Sequence, residues 1–515
     1  MKKSATKVTR IICMLLTIGL LSSIPTFQTE AAVIENGIDV SKWQGTIDWQ
    51  AVAQSGVSFV FIRVGNTKYG IDKDFYYNML AAQQVGIKTG VYIYSYATTV
   101  EEAALEAQFV LDAIKDIPVS YPVVWDVEDD KAHKNLPPET LALMANTFCA
   151  LVEAEGYYPM VYSSTSWFTK RIGPVFYDKW VAHWGDTLGI PDAAVWQYTD
   201  KGSVPGINGN VDLDYALKDF STSIVNTGWV ARKGFLHYYI NYKMQRGWLD
   251  LGLAKYYLDP AGRMVTGWLP LEDGIYYLQP DGVMSVGFTP IGLGMYCFDT
   301  DGKMLTGLQN INGLSYFFAP DGVMYTGFFD FPDGKRFFDF DGHMLVGLST
   351  IDNNNYYFNE TGVMQTGWQT LGDQTFLFAL SGPMVRGWFN DGVNNYYLST
   401  IDGHRVTGWQ TIDGKTYFFD AVGRMVTGVQ NLNGLSYLFA PDGVLYTGWF
   451  NDGISVKYYD VDGHMVTGLT AIEDSLYYFD ANGNMQTGIV EIAGIPYIFD
   501  TNGKMIPQEI PVLPQ

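Results

Sequence analysis

The chain is 515 residues long, enough for two or more domains. Its formal net charge of −22 excludes nucleic acid as a partner, since phosphate binding needs a basic footprint, and leaves any attachment to an anionic surface to specific pockets. Three cysteines exclude a disulfide-stapled scaffold, so packing must supply the stability.

Lys2, Lys3, Lys7 and Arg10 precede the apolar run "IICMLLTIGLLSSI", and small residues follow at "TEAA". This is the layout of a secretory signal peptide over 1–32, cut near Ala31 or Ala32. The run is short for a membrane span, and no later stretch is apolar enough to cross a bilayer. The mature chain is therefore expected to be secreted, with no membrane contact after cleavage. Cys13 falls inside this segment, which leaves Cys149 and Cys297 far apart in the chain.

From 33 to 222 short apolar strands alternate with amphipathic helices. "VSFVFIRV" (57–64) reads as a strand, "DFYYNMLAAQQVG" (74–86) as a helix stopped by glycine, and "KTGVYIYSYA" (88–97) as a strand. A helix over 100–115, a strand over 121–127 and a helix over 138–155 follow, then strands at "PMVYSS", "KWVAHW" and "AAVWQY". The alternation predicts an α/β fold with a parallel sheet closed as an irregular (β/α) barrel, whose chemistry sits at the C-terminal strand ends.

At one such end lies "YPVVWDVEDDK" (121–131), where Asp126 and Glu128, two apart, share a face. Alone this peptide reads equally as an active site or as an acidic edge bathed in solvent. Asp39 in "NGIDVSKWQG" and Asp212 in "GINGNVDLDY" also end apolar strands. In one barrel these four acids gather at one rim, with Tyr92, Tyr94, Trp184 and Gln197 on neighbouring strand ends. Crowded carboxylates repel, so one stays protonated near neutrality beside an ionised partner. That pairing is what glycosidic cleavage requires, and the aromatic rings offer a platform for sugars. His133 and His183 lack co-ligands, so neither a metal nor a cofactor is expected, and no Ser-His-Asp motif is present.

Residues 35–220 resemble the glycoside hydrolase family 25 muramidases, the lysozyme family that includes phage and fungal cell-wall lysins. The resemblance runs in order through "GIDVSKWQGTIDW", "FVFIRVG", "GVYIYSY", "PVVWDVE", "YPMVYSS", "WVAHWG" and "VWQYTDKGSVPGINGNVDLDY". It implies an irregular β/α barrel that cleaves the β-1,4 bond from N-acetylmuramic acid to N-acetylglucosamine in peptidoglycan. It further implies that Glu128 is general acid and then base, that Asp126 orients or charge-stabilises the reacting sugar, and that Asp39 and Asp212 complete the acidic floor. Asp214 stands where the family often has Asn and is not counted with them. The family's outcome is retention, with an enzyme nucleophile and the substrate's own acetamido group both open as the route. A chitinase-like barrel would carry another Asp two residues before Asp126, where Val124 stands.

From 228 to 505 the chain repeats itself. Glycines recur every 20 residues from Gly247 to Gly387, step 21 to Gly408, and resume the period to Gly488. Aromatic pairs, Asp-Gly or Asn-Gly, then Met and Thr-Gly fill each interval, predicting β-hairpins stacked into an all-β solenoid with the methionines in its core. Every Trp of this half follows a repeat glycine: Trp229, Trp248, Trp268, Trp368, Trp388, Trp409 and Trp449. From Trp248 onward they are candidate wall-binding residues, because flat rings at fixed steps can stack on sugars or enclose quaternary ammonium groups. Packing between neighbouring hairpins is the competing role.

This half resembles the cell-wall-binding repeats of choline-binding proteins and the related glycan-binding repeats of streptococcal glucan-binding proteins and clostridial toxins. Choline-binding repeats usually carry a second Trp before the tyrosine pair, where this chain has Lys255, Ile275, Asn355, Asn395 or Lys457. Both a wall polysaccharide and choline-bearing teichoic acid therefore stand as ligands of the repeats. The combined expectation is a peptidoglycan hydrolase, a muramidase held non-covalently on a bacterial cell wall, with a tail over 506–515. The alternative is a non-catalytic wall or glycan adhesin on a barrel scaffold, against which the retention of all four acids argues.

Overall fold

The structure, a computed structural model, describes residues 32–507. The leader expected over 1–32 lies outside these residues save for Ala32, as does most of the tail expected over 506–515. The first part contains nine strands, β1 (Glu35–Val40), β2 (Phe59–Asn66), β3 (Gly70–Ile71), β4 (Lys88–Tyr94), β5 (Val123–Asp126), β6 (Pro159–Ser164), β7 (Asp178–Ala182), β8 (Ala193–Gly202) and β9 (Val211–Ala216). Interleaved with them are helices α1 (Trp49–Gln54), α2 (Phe75–Gln84), α3 (Val100–Ile114), α4 (Asp130–His133), α5 (Pro138–Ala154) and α6 (Thr165–Lys170). The local chemistry fits these bounds. Asp48 accepts from the amides that open α1, Thr99 accepts from Glu102 N at the start of α3, and Pro138 sits in the first turn of α5.

Strands β1, β9, β8, β7, β6, β5, β4 and β2 pair in that order and β1 returns to β2, so the sheet closes; β3 folds back on β2. The short β3 is antiparallel to β2, and within the closed ring neighbours run parallel except β9, which is antiparallel to both β8 and β1. This departs from the expected parallel arrangement. Only residues 203–210 separate β8 from β9, too few for a helical crossover, so the chain turns back on itself.

Alternate side chains fill the barrel. Phe59, Phe61, Tyr121, Met160, Tyr162 and Trp180 form an interior cluster, with Phe61 stacked on Trp180 at 4.4 Å. Two glycines make room for it: a Cβ on Gly37 would lie 2.2 Å from the Phe59 ring, and one on Gly90 2.6 Å from Phe61. Outside, Val60, Ile62, Ile93 and Trp125 pack against Met79, Val110 and Phe148 of the helices. Burying each such side chain contributes about 1.5–3 kcal/mol.

From Gly228 onward the chain forms one three-stranded meander and then two-stranded hairpins, each starting on a repeat glycine. Trp268 pairs with Tyr277 and Gly267 with Leu278, a register repeated along the series. Turns such as Asn312-Gly313, at φ 54° and 85°, use the left-handed conformation that Asn and Gly tolerate. The Asp-Gly glycine has a second role. A Cβ on Gly322 would stand 2.3 Å from the Met304 sulfur, so the methionine of one repeat seats on the glycine of the next, a place taken by Arg405 at Gly423 and by Leu445 at Gly463. Cys149 and Cys297 are buried free thiols.

Contacts divide the chain into two compact units, one up to Val286 together with Thr300–Lys303, the other Gly287–Asp299 together with Met304 onward. The first hairpins thus belong with the barrel, and the residues that join them are polar. Arg232 donates to Gly156 O at 2.9 Å and Ser223 O at 2.7 Å, Tyr239 OH to Gly156 O at 2.9 Å, and Arg246 to Ala154 O at 3.1 Å. Apart from Ser223 O, which follows β9, these acceptors are carbonyls at and just beyond the C-terminal end of α5, where a helix leaves acceptors and partial negative charge. Arg232→Ala is expected to destabilise this unit by about 1.5–3 kcal/mol, the range for hydrogen bonds from a charged donor. Thermal melting checks it, and an unchanged melting temperature would show the contact to be idle.

Candidate active site

The carboxylates arrive from three strands. Asp39 near the end of β1 sits opposite Asp212 of β9, and Asp214 sits opposite Gln197 of β8. Asp126, the last residue of β5, lies between Tyr94 of β4 and Tyr162 of β6. Glu128 follows two residues beyond the strand and is open to the cleft, whereas Asp39, Asp126, Gln197 and Asp214 are 6%, 3%, 3% and 1% exposed.

Gln197 ties the floor together. Its Nε2 donates to Asp39 Oδ2 at 2.8 Å, while its Oε1 accepts from Tyr162 OH at 3.0 Å and Trp184 Nε1 at 3.4 Å. Trp180 Nε1 donates to Asp214 Oδ1 at 2.7 Å, and Tyr94 OH donates to Asp129 Oδ2 at 3.4 Å. Asp126 Oδ1 is buried with no hydrogen-bond partner among the described residues. A buried polar oxygen of this kind at a cleft is suited to a donor carried by a ligand.

Every acid of the cluster holds its proton more tightly than usual. Burial raises Asp39, with Asp212 and Asp214 adding repulsion and Gln197 opposing. Burial raises Asp126, with Glu128 adding to it and Arg63 opposing. For Glu128 the surrounding protein raises the value first and Asp212 second, again against Arg63. Burial and then Asp200 push Asp212 up to about 6, and burial raises Asp214 against its bond from Trp180. Burial and mutual repulsion thus favour the neutral form at each acid of the cluster, against the pull of Arg63, Gln197 and Trp180.

This carries a stability consequence whose sign is fixed. Between the unfolded value of 3.8 and about 6, folded Asp212 binds more proton than unfolded Asp212, so stability falls as pH rises through that window. That carboxylate alone accounts for at most on the order of 3 kcal/mol. The melting temperature of the barrel unit is expected to be higher at pH 5 than at pH 7.5, and Asp212→Asn is expected to shrink the difference. A melting temperature that climbs steadily from pH 5 to 7.5 would contradict the reading.

The structure brings Asp39, Asp126, Glu128 and Asp212 into one cleft with Tyr92, Tyr94, Trp184 and Gln197. Tyr92 faces Asp39, Asp126 and Asp212, and Trp184 stands 61% exposed at the mouth. Three further residues belong here: Asp214, named from the sequence but not counted with the four acids, and Arg63 and Glu106, which sequence reasoning passed over. Asp214 extends the floor. Arg63 opposes the charge of both Asp126 and Glu128. Glu106 of α3 is fully buried and accepts from Ser95 Oγ at 2.7 Å, Tyr96 N at 2.9 Å and Trp125 Nε1 at 2.8 Å, clamping the backbone on both sides of the Tyr94–Asp126 pair.

In the repeats Trp248, Trp268, Trp368, Trp388, Trp409 and Trp449 are each 37–43% exposed. Trp388 packs edge-on against Tyr397 of its own hairpin at 5.1 Å and Tyr417 of the next at 5.0 Å, and Trp248, Trp409 and Trp449 repeat the arrangement. Trp368 differs in that the Arg405 guanidinium lies over its ring at 5.4 Å.

An exposed glutamate beside buried aspartates on a barrel rim is the arrangement of a carboxylate-dependent glycoside hydrolase. Comparison with known proteins narrows the class. The model of glycosyl hydrolases family 25 matches residues 38–207. A choline-binding repeat model matches 406–430, and a cell wall binding repeat model matches 350–364 and 467–485. The uncharacterised protein YegX of Escherichia coli K12 is 31% identical over 190 residues, covering 35% of this chain and 68% of that protein. Lysozyme M1 of Streptomyces globisporus is 30% identical over 193 residues, covering 34% and 65%. An autolytic lysozyme of Clostridium acetobutylicum is 29% identical over 201 residues, covering 38% and 58%. The chain belongs to glycosyl hydrolases family 25, with cell-wall-binding repeats after its catalytic barrel.

Proposed function

We infer that the protein is a secreted muramidase that hydrolyses the β-1,4 bond between N-acetylmuramic acid and N-acetylglucosamine while its repeats hold it on the wall. The observation that carries this is geometric: an exposed Glu128 stands two residues beyond β5 beside the buried Asp126, whose Oδ1 has no partner among the described residues, with Asp39 and Asp212 on the paired strands β1 and β9. Glu128 protonates the leaving oxygen, and once ionised it activates the water that completes hydrolysis. Asp126, with a buried oxygen free of partners, accepts from the acetamido N–H of the reacting sugar and stabilises its developing positive charge. Gln197 and Tyr162 hold Asp39 in place, and Asp212 sets the field at Glu128. Tyr92, Tyr94 and Trp184 give the sugar rings their apolar faces. The similarity to two proteins named lysozymes supports the same substrate class.

Zymograms of the full chain on purified peptidoglycan and on chitin test this. Clearing of peptidoglycan is expected. Clearing of chitin alone would make the barrel chitinase-like, and clearing of neither would restore the adhesin reading.

For the repeats the structure favours a wall glycan over choline. Trp248, Tyr276, Met284, Asp250 and Asp301 line a cleft of about 280 Å³ that also contains Lys255, and Lys335 Nζ lies 5.9 Å from the Phe328 ring. Lys255 pairs with Asp250 at 3.8 Å and Lys335 with Asp330 at 3.3 Å, so an ion pair rather than a further aromatic ring flanks each wall, and sugar hydroxyls can bond to both of its partners. Choline at millimolar concentration is expected to leave the protein on sacculi, and solubilised wall polysaccharide to release it. Clean release by choline would overturn the glycan assignment.

A further inference from the structure

The turn between β2 and β3 holds Lys68 between two tyrosine rings, its Nζ 5.2 Å from the centroid of Tyr69 and 5.2 Å from that of Tyr96. The turn is firmly built. Tyr69 N donates to the buried Asn66 Oδ1 at 2.8 Å, Asp72 N donates to Val64 O at 2.8 Å, and Lys42 N, just beyond β1, donates to Asp72 Oδ2 at 3.2 Å. Gly65, at φ 131°, lets the turn close, because a Cβ there would meet Gly70 O at 2.2 Å. The rings lead into the cleft: Tyr69 to Tyr96 is 6.0 Å and Tyr96 to Tyr94 is 5.3 Å, and Tyr94 feels Asp126 and Glu128 directly.

Lys68 makes no ion pair within 4.0 Å among the described residues, although acids outnumber bases 54 to 32 in the chain. Aromatic faces, rather than a carboxylate, hold this ammonium at the edge of an acidic cleft, which leaves its charge available to a ligand. An anionic polymer entering such a cleft is repelled by the floor, so a fixed cation beside the entry offsets that repulsion at one point. We propose that Lys68, bracketed by Tyr69 and Tyr96, is a specificity-determining contact for a carboxylate borne by the muramic residue of the substrate strand. The proposal rests on the muramidase reading, since of the two sugars in the strand only muramic acid carries an acid. Where a peptide stem is attached, the lactyl carboxyl is consumed in its amide bond and the carboxylate is that of the stem; on a bare muramic residue it is the lactyl acid. The contact separates a muramic strand from a neutral N-acetylglucosamine polymer, which the acids of the floor do not.

The test is steady-state kinetics of the full chain, its Lys68→Gln variant and its Lys68→Arg variant on soluble glycan strands. On intact strands Lys68→Gln raises KM roughly two- to five-fold, as befits an exposed ion pair, with kcat retained, and Lys68→Arg restores it. The defect shrinks at high salt. On strands whose carboxyls have been converted to methylamides the variants and parent converge. On strands stripped of peptide, which frees the lactyl acid, a persisting defect shows that Lys68 also reads the lactyl carboxylate, and its loss restricts the contact to the stem. An equal KM rise on methylamide strands, or none on acidic ones, overturns the proposal. A parent protein that cleaves no muramic strand at all counts instead against the muramidase reading.

Discussion

Glu128→Gln is expected to lower kcat on soluble peptidoglycan fragments roughly 10²–10⁴-fold. Glutamine keeps the shape and hydrogen-bonding reach of the side chain but has no proton to give the leaving oxygen. The fold has no need of the charge, because the carboxyl is pressed toward its neutral form by the surrounding protein and by Asp212. Melting at neutral pH should therefore be unchanged or slightly raised in the same variant that loses activity. Turnover within a few-fold of the parent would remove Glu128 from the reaction and move attention to Asp126, which shares its field.

Removal of the second compact unit is expected to have the other large effect. A chain ending at Val286, which lacks only Thr300–Lys303 of the first unit, keeps the barrel with the hairpins that Arg232, Tyr239 and Arg246 fasten to α5, and should keep its kcat on soluble fragments. On intact walls its activity should fall on the order of 10²-fold or more, because distributed weak contacts along the repeats raise local concentration without touching the scissile bond. Cosedimentation with sacculi, measured beside turbidity clearing, separates lost binding from lost chemistry. Full wall activity in the shortened chain would show that the distal repeats do not retain the enzyme.

The barrel was legible because its strands are short apolar runs with acids at their ends, and those ends gather wherever the sheet closes. Asp39, Asp126 and Glu128 could be named for that reason; Asp212, expected to end its strand, lies instead near the start of β9 and joins the others because that strand runs antiparallel. Strand β9 was misread as parallel because direction depends on the length of the connection, and apolar patterning carries no sign of direction. Arg63 was visible in principle. It shares its parity with Phe59 and Phe61, which point into the barrel, and a charge at an inward position of "FVFIRV" has a reason to be there. Asp214 likewise shares the parity of Asp212. Glu106 gave no such sign, since one acid on an amphipathic helix looks like its solvated neighbours until the Trp125 and Ser95 donors are placed around it. The repeats were legible in register and turn chemistry. Their cation placement was not, because Lys335 over Phe328 and Arg405 over Trp368 are side-chain contacts made in three dimensions.

The bond that is cut is the most direct measure of the central claim. Purified peptidoglycan digested with the full chain, reduced with borohydride and analysed by mass spectrometry should give fragments ending in reduced N-acetylmuramic acid. Fragments ending in reduced N-acetylglucosamine would make the enzyme a glucosaminidase and contradict the account.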